Sequence, residues 1–381
     1  MNLDIKNYSV LQVLPHLNSG GLVSGAIEVS EALQKSGMRS FVASEGGRRE
    51  REITRTGGKV FNFSLGSKNP LIIFLNIYKL SRIIKKYKIN IIHARSRAPA
   101  WSAYFAAKKM GIPFVTTFHG TYSIQNNLKK KYNSIMVKAD KVIAISSFIN
   151  KHILSNYKVD QEKIVTVHRG INIEKYDYLK VSNERLIAFS KKFNIPEDSF
   201  VILLPGRITR WKGHILLIEA ISKLKRSDII CLFVGDLQGR NKYFAELNKT
   251  IDKFKLKNNF RIISNQSDMA VIYKLSDVVV SASLEPEAFG RVVAEAQAMG
   301  RPTVAVNHGG GPEIIIDGVT GWLFRPGDAN DLAEKINKAL NLNIDDRKKM
   351  SVKAIERAKL NFNNEMMCAK KLNIYAELIN K

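Results

Sequence analysis

Residues 200–225 read FVILLPGRITRWKGHILLIEAISKLK and contain the unit that decides the fold. The segment starts with a short run of apolar and β-branched residues, Phe200–Leu204, which is typical of a buried strand. A loop with glycine follows, and apolar residues then recur with helical period across Lys212–Lys225. A strand, a loop and a helix in that order predict half of a βαβ unit in a parallel sheet.

The same alternation continues in both directions along the chain. In the first half we predict strands at Ser9–Pro15, Ser40–Ser44, Lys59–Leu65, Ile89–Ala94, Pro113–Phe118 and Lys141–Ser146. After a lysine-rich stretch the pattern restarts, with strands at Phe200–Leu204, Ile229–Val234, Phe260–Ser264, Val278–Ser281 and Pro302–Asn307. Helical segments lie between the strands, which predicts parallel sheets with helices on both faces. Two such runs predict an α/β protein with two doubly wound, Rossmann-like domains.

The length and composition agree with two domains. A chain of 381 residues exceeds the size at which a single core usually stops growing. We expect an N-terminal domain over residues 1–180, a C-terminal domain over 195–360 and a C-terminal helix over 361–381. Because 45% of the residues are hydrophobic, the sequence excludes a disordered polar chain.

Membrane-spanning and disulfide-rich proteins are also excluded. The best apolar run, Leu71–Leu75, is far too short for a transmembrane helix. The opening residues have neither the basic start nor the long apolar run of a secretory signal. With only two cysteines, we expect no disulfide framework and no zinc site, and a reducing cytoplasm is the simplest location.

The net charge of +26 is concentrated in one part of the chain. Residues 51–150 carry +16 of it and include a helical segment, Pro70–Lys88, for which we expect Asn69 as the cap and Pro70 in the first turn. This segment has one apolar stripe and one basic stripe. The apolar stripe consists of Ile73, Ile77, Leu80, Ile84 and Tyr87, and the basic stripe of Lys79, Arg82 and Lys86. Lysine can accumulate on a surface without any function, and this interpretation stays open. The alternative is a surface that meets either the phosphates of a nucleic acid or an anionic lipid leaflet.

Ligands of parallel sheets bind at the carboxyl ends of the strands, so polar or glycine-rich residues that follow a strand are candidate site residues. In the first domain, Gly20 and Gly21 follow the opening strand and precede a helix whose free N–H groups suit an anion. A glycine pair after a strand is also common in a simple tight turn, so the pair alone leaves both alternatives open.

A histidine, His119, follows the strand Pro113–Phe118 at the same edge. A single histidine is often structural, but its position at the end of a strand favours a site. His93 and Arg95 end the preceding strand, and we expect these two residues, with Arg97, to face an anionic or hydroxyl-rich partner.

In the second domain, the loop after Phe200–Leu204 carries two cations near one helix start. Arg207 leaves the strand and Lys212 opens the helix. Two cations together with several N–H groups suit a pyrophosphate better than a single carboxylate.

The segment EPEAFGRVVAE, residues 285–295, is the most informative junction. Glu287 lies before a helix, and Glu295 lies about two turns inside it. A carboxylate accepts two hydrogen bonds, so each glutamate can bind a vicinal diol, one on a ribose and one on a sugar ring. Between them lie backbone N–H groups placed for phosphate oxygens, those of Phe289, Gly290 and Arg291. This pattern predicts a nucleotide sugar as ligand, although a glutamate at a helix start is also favoured without any ligand.

Residues 287–295, EAFGRVVAE, with the following AQAMGRPTVAVNHGGGPEIIIDGVTGWLFRPGD, resemble the donor-binding signature of retaining glycosyltransferases of family 4. This family has the GT-B fold, in which two Rossmann-like domains face a central cleft. The glycine pair Gly20-Gly21 and the loop Arg207–Lys212 match the same family, so the resemblance covers nearly the whole chain. It implies that the N-terminal domain, residues 1–180, binds the acceptor and that the C-terminal domain, residues 195–360, binds the nucleotide sugar. It also implies that the final helix crosses back onto the first domain.

The resemblance also assigns roles to the candidate residues. It implies that Arg207 and Lys212 neutralise the nucleotide diphosphate and that Glu295 binds the ribose. Glu287 would bind hydroxyls of the donor sugar, and His119 matches a histidine that faces the reacting sugar. No metal and no cofactor are expected, since cations and N–H groups would stabilise the departing diphosphate.

The sequence departs from the family at three places. Val23-Ser24 stands where many members have Glu-Arg, and Arg291 stands at a position that is often aliphatic. The side chain of Arg291 would add a cation close to the phosphates. His168-Arg169-Gly170 replaces a common Asn-Gly pair, and the sequence suggests no role for Arg169.

We therefore expect a retaining hexosyltransferase that acts on a lipid-linked cell-envelope glycan, such as a lipopolysaccharide core. We expect it to work in the cytoplasm, either free or against the inner face of the cytoplasmic membrane. Two alternatives remain from the sequence: a sugar-nucleotide epimerase on the same fold, and a basic nucleic-acid-binding protein. The second alternative lacks any helix-turn-helix, zinc or ribonucleoprotein motif, so we expect no nucleic acid as partner.

Overall fold

The computed structural model describes residues 8–18, 20–124, 126–264 and 266–381. The opening residues 1–7, which contribute to the expectation that no secretory signal is present, lie outside the described part. The described residues divide into two compact units. Unit 1 runs up to Arg169 and also includes Asn364–Lys381, whereas unit 2 is the continuous stretch Gly170–Asn363.

The described residues form parallel strands and intervening helices in the predicted alternation. The strands are β1 (Ser9–Val13), β2 (Arg39–Ser44), β3 (Lys59–Asn62), β4 (Ile91–Ala94), β5 (Phe114–Phe118), β6 (Lys141–Ala144), β7 (Ile164–Thr166), β8 (Phe200–Pro205), β9 (Ile229–Val234), β10 (Phe260–Ile263), β11 (Val278–Ser281), β12 (Thr303–Val306) and β13 (Trp322–Phe324). The helices are α1 (Gly21–Lys35), α2 (Glu50–Thr54), α3 (Pro70–Tyr87), α4 (Arg97–Met110), α5 (Asn127–Asn133), α6 (Ser147–Asn156), α7 (Asn183–Lys192), α8 (His214–Leu224), α9 (Asn241–Lys253), α10 (Met269–Leu275), α11 (Arg291–Ala298), α12 (Gly311–Ile314), α13 (Ala329–Leu340), α14 (Ile344–Asn361) and α15 (Asn364–Ile379).

Unit 1 is built on a seven-stranded sheet in the order β3-β2-β1-β4-β5-β6-β7. The order reverses between β1 and β4, so the carboxyl ends of these two strands form the switch point of a doubly wound fold. The six strands predicted in this half of the chain are present, and β7 is an addition. β7 has three residues, so its apolar run is shorter than the runs that identify most of the other strands.

Unit 2 is built on a six-stranded sheet in the order β10-β9-β8-β11-β12-β13, with its switch point between β8 and β11. Two doubly wound parallel sheets confirm the predicted fold class. The three-residue strand β13 is not predicted by the sequence pattern. Residues 170–194, which the expected boundaries divide between the first domain and a connection, pack within unit 2, where α7 contacts α10.

The central strands are covered by helices on both faces, which explains why their sequences are continuously apolar rather than alternating. β9 reads IICLFV, and all six of its residues are buried. Several of them join one cluster with Leu217 of α8 and Ile336 of α13, both of which are fully buried. Each such side chain contributes about 1.5–3 kcal/mol to the free energy of folding.

The C-terminal helix α15 completes the core of unit 1. Its Ile374 and Tyr375 pack in one cluster with Val10 of β1. The Tyr375 hydroxyl lies 2.6 Å from Nδ1 of His93, at the end of β4. The expectation that His93 and Arg95 face a partner is wrong, because α15 packs against β4 and both residues are fully buried.

Helix α3 starts as its sequence predicts. The side chain of Asn69 accepts a hydrogen bond from the N–H of Leu71, and Pro70 is the first helical residue. Leu80 and Ile84, from the predicted apolar stripe, are buried. The helix therefore packs on unit 1 through the face that its periodicity indicates.

The opposite face of α3 is also apolar over its first turns, and its side chains are exposed. Leu71 is 74% exposed, Phe74 71%, and Leu75 and Tyr78 55% each. The same face becomes basic one turn later, with exposed Lys79, Arg82, Lys85 and Lys86. None of the helices formed by the described residues has the length and apolarity needed to cross a bilayer.

A buried lysine lies close to two arginines inside unit 1. Lys371 of α15 is only 2% exposed, and Arg95 is fully buried. Burial, followed by repulsion from Arg95 and Arg169, lowers the pKa of Lys371 from 10.5 to about 7, although Glu28 acts in the opposite direction. Protonation of this lysine therefore places an additional positive charge among buried cations, which costs free energy of folding.

We expect the variant Lys371→Met to unfold at a higher urea concentration than the parent protein at pH 7 or below. Between a pH of about 7 and 10.5, the unfolded parent chain binds a proton at Lys371 that the folded chain does not. The stability of the parent protein therefore rises with pH in this window, and the advantage of the variant shrinks.

Urea unfolding of both proteins at several pH values from about 6.5 to about 9 measures this difference. Lys370→Met, which changes the neighbouring exposed lysine, is the matched control and should follow the parent protein. A difference between Lys371→Met and the parent protein that does not change with pH would contradict the lowered pKa of Lys371.

Candidate functional site

Two loops meet at the carboxyl edge of the unit 2 sheet, at the switch point between β8 and β11. The loop after β8 carries Arg207 and Lys212, and the loop after β11 carries Glu287. Nζ of Lys212 donates to Oε1 of Glu287 over 2.6 Å. Lys212 is only 9% exposed. The structure thus joins, in one ion pair, two residues that the sequence analysis assigns to different parts of a ligand.

Two serine hydroxyls complete the surroundings of Glu287. Ser283 donates to Oε1, and the Ser281 hydroxyl lies 3.5 Å from the same oxygen. Burial opposes the ionisation of Glu287, but the Lys212 ammonium and these hydroxyls outweigh it and hold the pKa of Glu287 below its ordinary value. The ionised carboxylate has lone pairs for further hydrogen bonds, as a sugar hydroxyl would require.

A glycine turn after β12 supports the loop that carries Glu287. The N–H of Gly310 donates to the carbonyl oxygen of Glu287 over 2.8 Å. A Cβ atom at position 310 would lie 2.1 Å from the carbonyl oxygen of Phe289, so only glycine fits there. The glycine-rich segment that follows β12 therefore fixes the position of the Glu287 loop.

The start of α11 provides donors for an anion. Gly290 is its N-cap, and the N–H groups at the start of a helix point outward along its axis. The backbone N–H groups of Phe289, Gly290 and Arg291 are grouped at this start. Arg207, at the end of β8, is exposed. An N-terminal helix end and an exposed guanidinium on neighbouring strand ends suit a phosphate group.

Glu295 lies inside α11 and is 7% exposed. Oε2 accepts a hydrogen bond from the Tyr273 hydroxyl at 2.9 Å, and Oε1 accepts one from Nε of Arg291 at 2.8 Å. The Arg291 side chain thus lies along the helix against Glu295, a residue four positions later. The family resemblance leads us to expect this cation near the phosphates, whereas in the structure its side chain pairs with a carboxylate.

In unit 1, the side chain of Arg169 contacts both the glycine pair and His119. Gly20, with a φ of 98°, is the N-cap of α1, and Gly21 is its first residue. Nη2 of Arg169 donates to the carbonyl oxygen of Gly21, and Nη1 of the same side chain lies 3.4 Å from Nδ1 of His119. Arg169, to which the sequence assigns no role, therefore connects the α1 start with the end of β5.

The protonation of His119 follows from its neighbours. Burial first, and then the positive charges of Arg169 and Arg95, hold the pKa of His119 well below its ordinary value. The imidazole is therefore neutral, and because a guanidinium can only donate, Nδ1 is the acceptor. The proton then resides on Nε2, which has no hydrogen-bond partner among the described residues.

Three residues of these sites are not found by sequence reasoning. Ser283 and Tyr273 bind the two candidate glutamates, and Arg169 binds the glycine loop. Ser283 carries a weak signal, since it follows a strand end, but Tyr273 lies in an ordinary apolar helix pattern. The Ser24 hydroxyl, at the place where the sequence departs from the family, accepts from Nη1 of Arg49 at 2.8 Å. Among the described residues, no three His, Cys, Asp or Glu side chains are grouped as metal ligands would be.

Comparison with known proteins agrees with this organisation. The family model described as Glycosyl transferases group 1 matches residues 187–359, and the model described as Glycosyltransferase Family 4 matches residues 19–175. A glycosyltransferase of known crystal structure from Rickettsia africae ESF-5 is 41% identical, with a TM-score of 0.93, over 98% of this chain and 99% of that chain.

Two further proteins resemble the chain over different lengths. The lipopolysaccharide 1,2-N-acetylglucosaminetransferase of Salmonella typhimurium is 36% identical over 154 residues, which is 38% of this chain and 40% of that protein. Anabaena HepE, solved in complex with UDP and glucose, is 21% identical, with a TM-score of 0.85, over 98% of this chain and 100% of its own. At this identity, the likeness to Anabaena HepE shows a shared fold. Family models along both halves and a close structural relative together show that the chain belongs to the group 1, family 4 glycosyltransferases and has the GT-B fold.

Proposed function

We propose that this glycosyltransferase transfers a hexose-type sugar from a nucleoside-diphosphate sugar to a hydroxyl of a lipid-linked cell-envelope glycan, such as a lipopolysaccharide core. The observation that carries the proposal is the group of residues at the β8–β11 switch point, where Lys212 pairs with Glu287 beside the start of α11. Cations, the N–H groups of a helix start and two carboxylates in one unit fit a diphosphate that joins two hydroxyl-bearing rings.

The diphosphate would be bound without a metal. Arg207 and the N–H groups at Phe289, Gly290 and Arg291 would donate to its oxygens. Lys212 has three N–H donors, of which one is used by Glu287, so the others remain for a phosphate oxygen. These groups would stabilise the negative charge that develops as the nucleoside diphosphate leaves.

The two glutamates would recognise the two rings of the donor. Glu287 is kept ionised by Lys212 and would accept hydrogen bonds from hydroxyls of the transferred sugar. Glu295 is held by Tyr273 and Arg291 and would accept from the ribose hydroxyls with its remaining lone pairs. UDP and glucose in the Anabaena relative support this kind of donor.

We infer a transfer that retains the anomeric configuration, with the acceptor hydroxyl attacking on the face from which the diphosphate leaves. Both glutamates are engaged by protein donors, which favours a binding role for them over that of a free nucleophile. In unit 1, the Nε2–H of neutral His119 would donate a hydrogen bond to a hydroxyl of the reacting sugar.

The lipid-linked acceptor is supported by the exposed face of α3 and by the named activity of the Salmonella relative. Leu71, Phe74, Leu75 and Tyr78 form an exposed apolar patch. Beside it, a groove of about 840 Å³ between α3 and β3 is lined by aromatic and basic side chains, including Phe61, Phe63, Tyr87, Lys79 and Lys86. On an anionic lipid surface, the apolar patch would insert below the headgroups, and the lysines would pair with the lipid phosphates. Each lysine near the surface would contribute about 1 kcal/mol to membrane binding.

The reaction is tested by incubating the protein with a panel of UDP-, ADP- and GDP-hexoses, with and without a lipopolysaccharide-core acceptor. We expect acceptor-dependent release of one nucleoside diphosphate. A new sugar nucleotide formed without an acceptor would identify an epimerase instead, and the absence of both products and of donor binding would contradict the proposed function.

The first site prediction concerns the diphosphate. We expect Arg207→Ala to raise the activation free energy by about 2 to 4 kcal/mol, because it removes a donor to the leaving group, with the fold intact. Arg226→Ala is the matched control, since Arg226 pairs with Asp228 in the connection between α8 and β9. Initial rates at saturating donor measure the effect, and a parent-like rate for folded Arg207→Ala would remove Arg207 from the diphosphate site.

The second site prediction concerns the ribose. We expect Glu295→Ala to weaken the binding of UDP and of the UDP-sugar by the same factor, roughly tenfold or more, since both ligands carry the ribose. Tyr273→Phe keeps the carboxylate and should weaken binding less. Calorimetry with both ligands measures the two affinities, and an unchanged affinity for UDP in a folded Glu295→Ala protein would exclude the ribose role.

A third prediction concerns the membrane. We expect the protein to sediment with vesicles of phosphatidylcholine containing about one third phosphatidylglycerol, and much less with phosphatidylcholine alone. The double variant Leu71→Ser/Phe74→Ser should lose most of this binding. Leu360→Ser changes a leucine of α14 that is 68% exposed and serves as the control. Equal binding to both kinds of vesicle, or full binding by the double variant, would refute docking through α3.

A further inference from the structure

Unit 2 contains a large cavity, of about 900 Å³, beside the residues proposed to bind the donor. It is open to solvent on the carboxyl side of β8 and β9. Three segments form its wall: the loop after β8, the start of α9 and the loop after β11. The side chains that matter for its chemistry are Arg210, Trp211, Asn241, Tyr243, Glu246 and Glu285.

The cavity is adjacent to the donor-binding residues but does not include them. Trp211 precedes Lys212, and its ring centroid lies 4.5 Å from Nζ of Lys212. The carbonyl oxygen of Trp211 accepts from the N–H of Leu284 over 2.7 Å, which joins the two loops that also carry Lys212 and Glu287. A ligand in the cavity would therefore lie next to the transferred sugar without competing for the diphosphate residues.

The lining has the chemistry of a carbohydrate site. Trp211 is partly exposed and offers an aromatic surface on which the apolar face of a sugar ring can stack. Around it stand planar groups that can make paired hydrogen bonds with neighbouring hydroxyls, the amide of Asn241 and the carboxylate of Glu285. One aromatic surface with two bidentate polar groups fits a neutral, hydroxyl-rich ring.

One wall of the cavity is held rigidly. Nη1 of Arg210 donates to Oε1 of Glu246 over 2.6 Å, and Nη2 donates to Oε2 in the same bidentate pair. The Arg210 guanidinium also lies 5.2 Å from the ring centroid of Tyr243. These contacts fix three side chains before any ligand arrives, which reduces the entropy lost on binding.

Charge and size narrow the class of ligand further. The lining contains three cations, Arg210, Arg240 and Lys242, against Glu246 and Glu285, so it is close to neutral, unlike the basic groove beside α3. The volume lies near the upper end of the roughly 300–1,000 Å³ found for small-molecule pockets. A neutral ligand of more than one ring therefore fits better than a phosphate, a peptide acid or a single monosaccharide.

We propose that this cavity binds neutral sugar residues of the acceptor glycan, at a distance from the hydroxyl that is glycosylated. The proposal rests on the proposed transfer to a glycan acceptor and adds to it that the donor-binding unit also holds part of the acceptor. The cavity would then select acceptors by the sugars that precede the reacting residue.

The test uses the full chain, labelled with a fluorophore, on a printed array of neutral bacterial and mammalian oligosaccharides. We expect the protein to bind a subset of glycans of two or more rings. For the best glycan, an NMR titration should show at least a tenfold weaker affinity for Trp211→Ala and for Asn241→Ala. Asn248→Ala is the matched control, because Asn248 is an exposed asparagine on the same helix, outside the cavity.

The outcomes separate this proposal from the donor site. Glycan binding that persists in Arg207→Ala and is not displaced by UDP supports the cavity, even if the donor assignment fails. Displacement by UDP would place the glycan in the donor site and overturn the proposal. No binding to any glycan on the array, or parent-like binding by Asn241→Ala and folded Trp211→Ala, would also overturn it.

Discussion

The ion pair between Lys212 and Glu287 is the interaction on which the unit 2 site depends. It joins the loops that follow β8 and β11, the two strands at the switch point of the unit 2 sheet. Removing either partner would leave the other charge buried without compensation, which costs more than the pair itself contributes. The same pair holds the carboxylate ionised and sets the position of the loop before α11. The proposed binding of sugar hydroxyls by Glu287 and the proposed binding of phosphate by Lys212 therefore both depend on this ion pair.

Much of the fold can be predicted from the sequence, because most of the strands are short apolar, β-branched runs between helical segments. The exceptions are short elements. β7 and β13 have three residues each and pair at one end of a sheet, so neither needs the apolar pattern of a central strand. The boundary between the units also cannot be predicted from the sequence pattern. Residues 170–194 belong to unit 2 because α7 contacts α10, and local periodicity does not indicate this tertiary contact.

The site could be predicted in its parts but not in its pairings. Glu287, Lys212 and Glu295 are found from their positions after strands and from their spacing. Their partners are determined by tertiary packing: Lys212 meets Glu287 across 75 positions of sequence, and Tyr273 reaches Glu295 from another helix. Arg291 illustrates the difference. It begins α11, at the helix start that the sequence pattern predicts, but its side chain pairs with Glu295. The burial of His93 depends on α15, which lies almost three hundred residues away.

Helix α15 also has a consequence for how the protein forms in the cell. A ribosome releases the chain from its N-terminus, so the strands of unit 1 emerge before unit 2, and α15 emerges after it. All of unit 2, a continuous segment, is available for folding before the core of unit 1 can close around Tyr375. Until then, the apolar surface of β1 and β4 that α15 covers is open to water. Unit 1, whose strands are synthesised before unit 2, is thus completed only after it, and the nascent chain needs protection of the exposed unit 1 core for longer than that of unit 2.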